Sequence, residues 1–235
     1  RERFLALHAQ QEVISGDFSE VDHSGADLAE LRTEALILTR ANFSGANLQG
    51  AMLDGANLAG ANFQGATLAQ ASCVDADMTR AHLEGANLEG ATLDEACLIE
   101  AELVEANLEG ASLLKAELGR CDLSRARLVD AKCDEADFTG AILTKADARR
   151  SSWVETRLTA VQAEEIDLRD ADLTKVRVSD GACLDRANIS GTTAPGSRWR
   201  QARLSGASFS FSDLEDATFN GAAMIGTVLD GCNLK

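Results

Sequence analysis

An apolar residue returns at every fifth position along most of the chain. From Phe18 the series runs through Leu28, Leu38, Phe43, Leu48, Leu53, Leu58 and Phe63 and continues to Val178, broken only at His23 and Thr33. Two residues before each of these stands a small side chain, which is Ala at every step from Ala41 to Ala116, then Cys121, then Ala from Ala126 to Ala146. A polar residue, often Asn or Asp, separates the two, and two variable positions complete the unit. This period fits neither the 3.6 residues of a helix nor the alternation of a strand, so neither element keeps the stripe buried over its length. A coil that turns once per pentad does. Four pentads close a coil of about 20 residues, each Leu or Phe points inward, and neighbouring coils stack at about 4.8 Å through backbone bonds. The narrow interior explains the small residue two places earlier, and Gly at the fifth position suits a corner with unusual backbone angles.

In this register residues 16–180 hold 33 units; one extra residue near Asp180 and Gly181 moves the frame, and the series from Leu184 to Leu234 adds 11 more. The total of 44 units predicts about 11 coils in a rod roughly 50 Å long. Residues 1–15 carry no pentads, and Phe4, Leu7, Gln11 and Ile14 fall on one helical face, which predicts a short helix capping the first coil ahead of a repeat domain over 16–235. The last unit, CNLK, runs to the terminus in register, so either the chain is cut there, or two rods meet end to end as a homodimer, or the last coil tolerates exposure.

Units such as ANFSG, ANLQG, ANLAG, ANFQG, ANLEG and ADLTK resemble the pentapeptide-repeat family over residues 16–235. That resemblance implies an all-β fold, a right-handed quadrilateral β-helix. The opening stretch, a short helix leading through SGDFS into pentads, is similar to repeat modules that follow a larger N-terminal domain in some bacterial type VI secretion accessory proteins. No Met precedes Arg1 and no signal pattern opens the chain, which is read as numbering that begins inside a longer precursor or after removal of a tag.

The pattern bends at a few places. Trp153 and Trp199 occupy central positions sized for Leu, each preceded five residues earlier by an undersized Ala148 or Ala194. Volume compensation inside the core is one reading. The other is an outward recognition loop between Arg149 and Glu165, where Ser151, Thr156, Val161 and Ile166 break the Ala column; Gly181 and the Pro195–Gly196 turn beside Trp199 are further candidate loops or bulges.

The 235 residues carry 22 basic and 38 acidic side chains, a net charge of −16, which opposes direct binding to nucleic acid or to an anionic membrane surface. No apolar run is long enough to span a bilayer. The charge is unevenly placed: residues 1–114 hold 19 acids and 5 bases, residues 115–235 hold 19 and 17. Between Ala81 and Leu114 there is no Lys or Arg, and Glu84, Glu89, Asp94, Glu95, Glu100, Glu102, Glu105 and Glu109 are all expected to face water. Stacking at 20 residues places Glu95 by Lys115, Glu100 by Arg120 and Glu105 by Arg125, pairs that contribute at most about 1 kcal/mol each. Residues 16–114 carry a net −14, which over about 24 Å of rod is one charge per roughly 1.7 Å, the linear charge density of duplex DNA.

Reactive constellations are missing from the pattern. His8, His23 and His82 are isolated, the glycines recur at corners rather than before a helix, and no nucleophile and base fall at a usable spacing. Cys73, Cys97, Cys121, Cys133, Cys183 and Cys232 form no CxxC pair, so they read as buried thiols of a reducing, cytoplasmic compartment, with no metal or cofactor implied. The expectation is a noncatalytic protein-binding rod whose partner docks on the acidic stretch from Glu84 to Glu109. The resemblance supplies an alternative, because some pentapeptide-repeat members mimic DNA and bind type II topoisomerases such as gyrase. The missing C-terminal dimerisation element, and Lys115, Arg120, Arg125, Arg127, Lys132, Lys145, Arg149 and Arg150, count against that alternative.

Overall fold

The computed structural model describes residues 1–235. It places a helix α1 (Glu2–Ala9) on a column of short parallel pairings. Strands β1 (Ile14–Asp17) and β2 (Thr33–Ile37) pair in the first turn, and β3 (Arg157–Thr159), β4 (Arg177–Ser179) and β5 (Arg198–Trp199) form a three-stranded parallel ladder further on. Elsewhere the chain touches its next turn through single parallel bridges such as Asn42 to Asn62, Asn62 to His82 and His82 to Glu102, always 20 residues apart. Past the extra residue the offset becomes 21, as in Gln162 to Cys183, before returning to 20 at Cys183 to Arg203.

The backbone is paired in a pattern that repeats with every unit. Leu48 N donates to Thr67 O in the next turn (2.7 Å), Asn47 N to Ala26 O in the previous one (2.9 Å), and Gly50 N to Ala69 O (2.9 Å). The Leu48 carbonyl also closes a tight turn by accepting Ala51 N at 3.0 Å. The turn needs positive φ at the fifth position. Gly50 supplies it without steric cost at φ 65, yet Glu105 (φ 59), Lys115 (φ 57) and Arg125 (φ 58) take the same conformation under the tension of the ladder.

Side chains at the apolar and small positions form one continuous core of 71 buried residues. Equivalent residues stack coil upon coil: Phe43 lies parallel to Phe63 with centroids 5.2 Å apart, and His23 lies parallel to Phe43 at 5.3 Å. Phe4 of α1 closes that column, 4.3 Å from His23 and 5.1 Å from Phe18. The helix is shorter than the 15-residue segment expected. Gln11 turns to φ 55, and Gln11 N to His8 O (2.8 Å) with Glu12 N to Leu7 O (3.1 Å) ends it in a Schellman motif. Ile14 therefore begins β1 and is buried there rather than on the helix.

Trp153 and Trp199 are fully buried, which corrects the reading of outward loops at these positions. Ala148 at the preceding central position and Ala163 two units further on, beyond Leu158, are undersized and leave the volume its indole fills. Its Nε1 donates to Ser151 Oγ at 2.6 Å, and Trp199 Nε1 donates to Ser197 Oγ at 2.9 Å, so Ser replaces Ala in the small column where an indole needs an acceptor. Thr156, Val161 and Ile166 remain in that column and are buried, and the bridges pass through this segment without a break. Pro195 and Gly196 (φ 63) make an ordinary corner, with Pro195 O accepting Lys175 N at 2.9 Å. Gly181 does mark an irregularity: Asp180 (φ 53) and Gly181 (φ 75) are two successive left-handed residues, which accommodates the inserted residue at a corner and leaves the core register intact.

Candidate interaction surface

Each unit leaves one backbone N–H, on the residue after the central one, without a partner in the ladder. Where the residue before the centre is Asn or Asp, its side chain supplies it. Asn47 Oδ1 accepts Gln49 N (3.2 Å), Asp77 Oδ1 accepts Thr79 N (3.0 Å), and Asp122 Oδ1 accepts Ser124 N (2.9 Å). At Ser72 and Ser152 an Asp in the previous coil takes over: Asp54 reaches Val74 N (3.0 Å) and Asp134 reaches Val154 N (2.9 Å). Much of the surface Asn and Asp is thereby committed to the fold.

The eight acidic candidates divide by the same logic. Asp94 accepts Leu114 N at 3.1 Å and Ser112 Oγ, so it is half-buried and serves the backbone. Glu100 lies between two arginines, 2.7 Å from Arg80 and 2.8 Å from Arg120; its hydrogen bond to Arg80 and then both positive charges hold its carboxyl below the usual range. Glu105 pairs with Arg125 (3.2 Å) and Glu109 with Arg127 (2.6 Å). Glu95 and Lys115, stacked as expected, do not come within ion-pairing distance; both side chains leave corner residues on the outside of the turn and extend into water. Glu89 and Glu95 are exposed and carry no ion pair, whereas Glu84, Asp94, Glu100 and Glu109 are half-buried, so only some of the eight face water fully.

The stretch from Glu84 to Glu109 spans more than one 20-residue turn, so it winds around the rod instead of lining one face. The coil brings Glu84 and Glu102 together and adds a residue outside the expected set, His82, whose Nδ1 lies 3.0 Å from Glu102 Oε2. Sequence separation hides this cluster: it exists only because residue 102 lies over residue 82.

Basic side chains of the second half are largely neutralised by carboxylates, mostly ones in the preceding coil. Arg150 is held by Asp130, Arg157 by Asp137, Arg169 by Asp167, and Arg186 by Glu165, at 2.6 to 2.9 Å. Arg177 and Arg198 are a local exception: they stack beyond Arg157 along β3, β4 and β5 and neither forms an ion pair. Burial pushes the Cys73 thiol up to about 12 and raises Cys121 and Cys133 strongly, so these sulfurs are uncharged core groups. No helix is long and apolar enough to cross a membrane.

These repeated turns, inward apolar columns and outward polar ladders define a β-solenoid built from five-residue units. The pentapeptide-repeat profile matches in 8 copies over residues 37–72, 71–110, 101–132, 116–152 and 182–221, and the chain belongs to the pentapeptide-repeat family, whose fold is a right-handed β-helix. Among solved structures it is similar to HetL, a pentapeptide-repeat protein involved in heterocyst differentiation regulation from the cyanobacterium Nostoc, at 25% identity, covering 99% of this chain and 94% of that one with a TM-score of 0.61. It also matches QnrB1, a plasmid-mediated fluoroquinolone resistance protein, at 16% identity over 90% of this chain and 91% of that one with a TM-score of 0.43. No curated protein sequence matches the chain.

Proposed function

We propose that this protein is a noncatalytic scaffold, a four-sided rod of about 11 coils that binds a protein partner through its acidic N-terminal half. The observation that carries this reading is the division of charge along a rigid axis: residues 16–114 hold 17 acids and 3 bases, while most bases beyond them are tied to neighbouring carboxylates. Glu89 and Glu95, exposed and without ion pairs, are the contact residues we assign to a basic partner surface. A secretion-accessory role is the finer form of this reading, supported by the helix that leads into the first pentads.

The test is capture of binding partners by wild-type protein and by the Glu89→Lys, Glu95→Lys double variant, with the fold checked by circular dichroism. A partner retained by the first and lost by the second supports the reading; equal recovery removes this surface.

One observation favours a second reading, mimicry of DNA. The acids encircle the rod rather than covering one side, which gives a negative column with about the charge spacing of a duplex. Inhibition of supercoiling by a type II topoisomerase at micromolar protein would support it, and the absence of any effect would exclude that target.

A further inference from the structure

We propose that His82, Glu84 and Glu102 form a binding site for a divalent metal ion of the zinc class, held between two successive coils on the outside of the rod. One ligand atom from each of the three residues lies within 4.8 Å of the others. Two of them, His82 Nδ1 and Glu102 Oε2, are already 3.0 Å apart. Tetrahedral bonds of about 2.0 to 2.2 Å to imidazole nitrogen and carboxylate oxygen put neighbouring ligands roughly 3.3 to 3.6 Å apart, so small rotations of the Glu84 and Glu102 carboxylates complete three ligands and leave a fourth position for water.

A separate observation points at the same spot. Glu84 Oε1 accepts Gln64 Nε2 at 2.9 Å, which fixes the carboxylate, while Glu84 Oε2 is buried and has no hydrogen-bond partner. A buried carboxylate oxygen left unpaired is costly, and structures rarely tolerate it without a reason. No Lys or Arg forms an ion pair with Glu84 or Glu102, and His82 is the one basic side chain paired with the cluster. The stacked neighbours of Glu84 are Gln64 and Val104, those of Glu102 are His82 and Asp122, and no Lys or Arg occurs between Ala81 and Leu114. Arg80, the nearest in sequence, is engaged by Glu100 at 2.7 Å. Two carboxylates and an imidazole thus converge with a local negative charge that a divalent ion would balance.

The donor set also selects the ion. Calcium takes six to eight oxygens and magnesium prefers an oxygen octahedron with several waters, whereas imidazole with two carboxylates suits zinc, cobalt, manganese or ferrous iron. The ladder supplies rigidity: His82 and Glu102 are bridged through their backbones, so their side chains start from fixed positions one coil apart. This inference is independent of the partner-binding reading, which rests on Glu89 and Glu95.

The test is titration of the full chain with Co²⁺, followed by optical absorption, with Zn²⁺ as competitor and Ca²⁺ as control. The expected result is one equivalent of Co²⁺ with weak d–d bands, no thiolate charge-transfer band, displacement by Zn²⁺ and indifference to Ca²⁺. His82→Ala and Glu84→Gln should each weaken binding at least about tenfold, while Glu135→Gln on a different part of the surface leaves it unchanged. His82 is outward-facing, with 43% of its side chain exposed, so circular dichroism of His82→Ala should match wild type. Absence of saturable Co²⁺ binding at millimolar metal would overturn the proposal. So would a thiolate band, or equal affinity in wild type and both variants, either of which assigns the metal to cysteines or to diffuse acidic surface.

Discussion

Asn87 Oδ1 accepts the backbone N–H of Glu89, two residues further on, at 3.1 Å, and in the same position accepts Asn107 Nδ2 from the coil above, also at 3.1 Å. One side-chain oxygen therefore closes the local turn and ties it to the next coil. This double duty explains why Asn and Asp recur before the central apolar residue: a short side chain with a fixed acceptor reaches the N–H that the ladder leaves out, and a longer Glu or Gln overshoots it.

Replacing Asn87 with Ala removes both bonds and should lower stability by about 1 kcal/mol, whereas Asn87→Asp keeps the acceptor and should cost less. The midpoint of urea unfolding reads the difference. Equal losses in the two variants would show that the acceptor contributes nothing.

The Trp153 indole depends on a single oxygen, because Ser151 Oγ accepts its N–H at 2.6 Å while donating to Ala148 O. Ser151→Ala restores the usual small residue but leaves a buried donor unpaired, and should destabilise by about 1 to 3 kcal/mol. A Ser151→Ala, Trp153→Phe double variant needs no acceptor and should recover part of that loss. Thermal unfolding of the three proteins checks the order.

His23 stands in a Phe column with neither ring nitrogen hydrogen-bonded, and burial, followed by the positive charges of the N-terminus and Arg1, lowers its pKa to about 4. The folded state thus holds it neutral, while the unfolded chain binds a proton near pH 6.5. Its effect is absent above that pH; stability falls as pH drops from about 6.5 to about 4 and is then constant. The loss reaches at most about 3 kcal/mol. His23→Leu should remove this part of the pH dependence and raise stability at pH 5 relative to wild type, as measured by melting temperature across the range. Parallel curves for the two proteins would show that His23 does not titrate with folding.

Thiol reactivity should sort by position in the pentad. Cys97 occupies the outward polar position and is partly exposed, whereas Cys73, Cys121 and Cys133 lie in the core with thiols raised by burial. Alkylation of the native protein at pH 8, followed by peptide mass spectrometry, should label Cys97 first and leave these three unmodified until denaturant is added.

The five-residue period was enough to assign the interior, because each unit makes the same turn and the turn itself decides which side chain points inward. The central series and the Ala series therefore appear in the core almost residue for residue. The frame shift at Gly181 was visible for the same reason, since an insertion displaces every later apolar position by one. The length of α1 was not, because Leu7 and Gln11 fit a helical face whether or not the Schellman turn at Gln11 ends the helix first.

Residue order is enough for the periodic core, the acidic bias of the first half and the pairs 20 residues apart that could meet. Which of them do meet is settled by side-chain geometry in the folded coil. Glu100 reaches Arg120 and Glu105 reaches Arg125, while Glu95 and Lys115 remain apart, because flexible side chains on a solvated corner choose among rotamers that a residue count does not describe. The coil also converts one acidic run into a band around the rod and brings His82 against Glu102. Proximity on a solenoid follows the winding of the backbone, and distance along the chain measures it only after a full turn has closed.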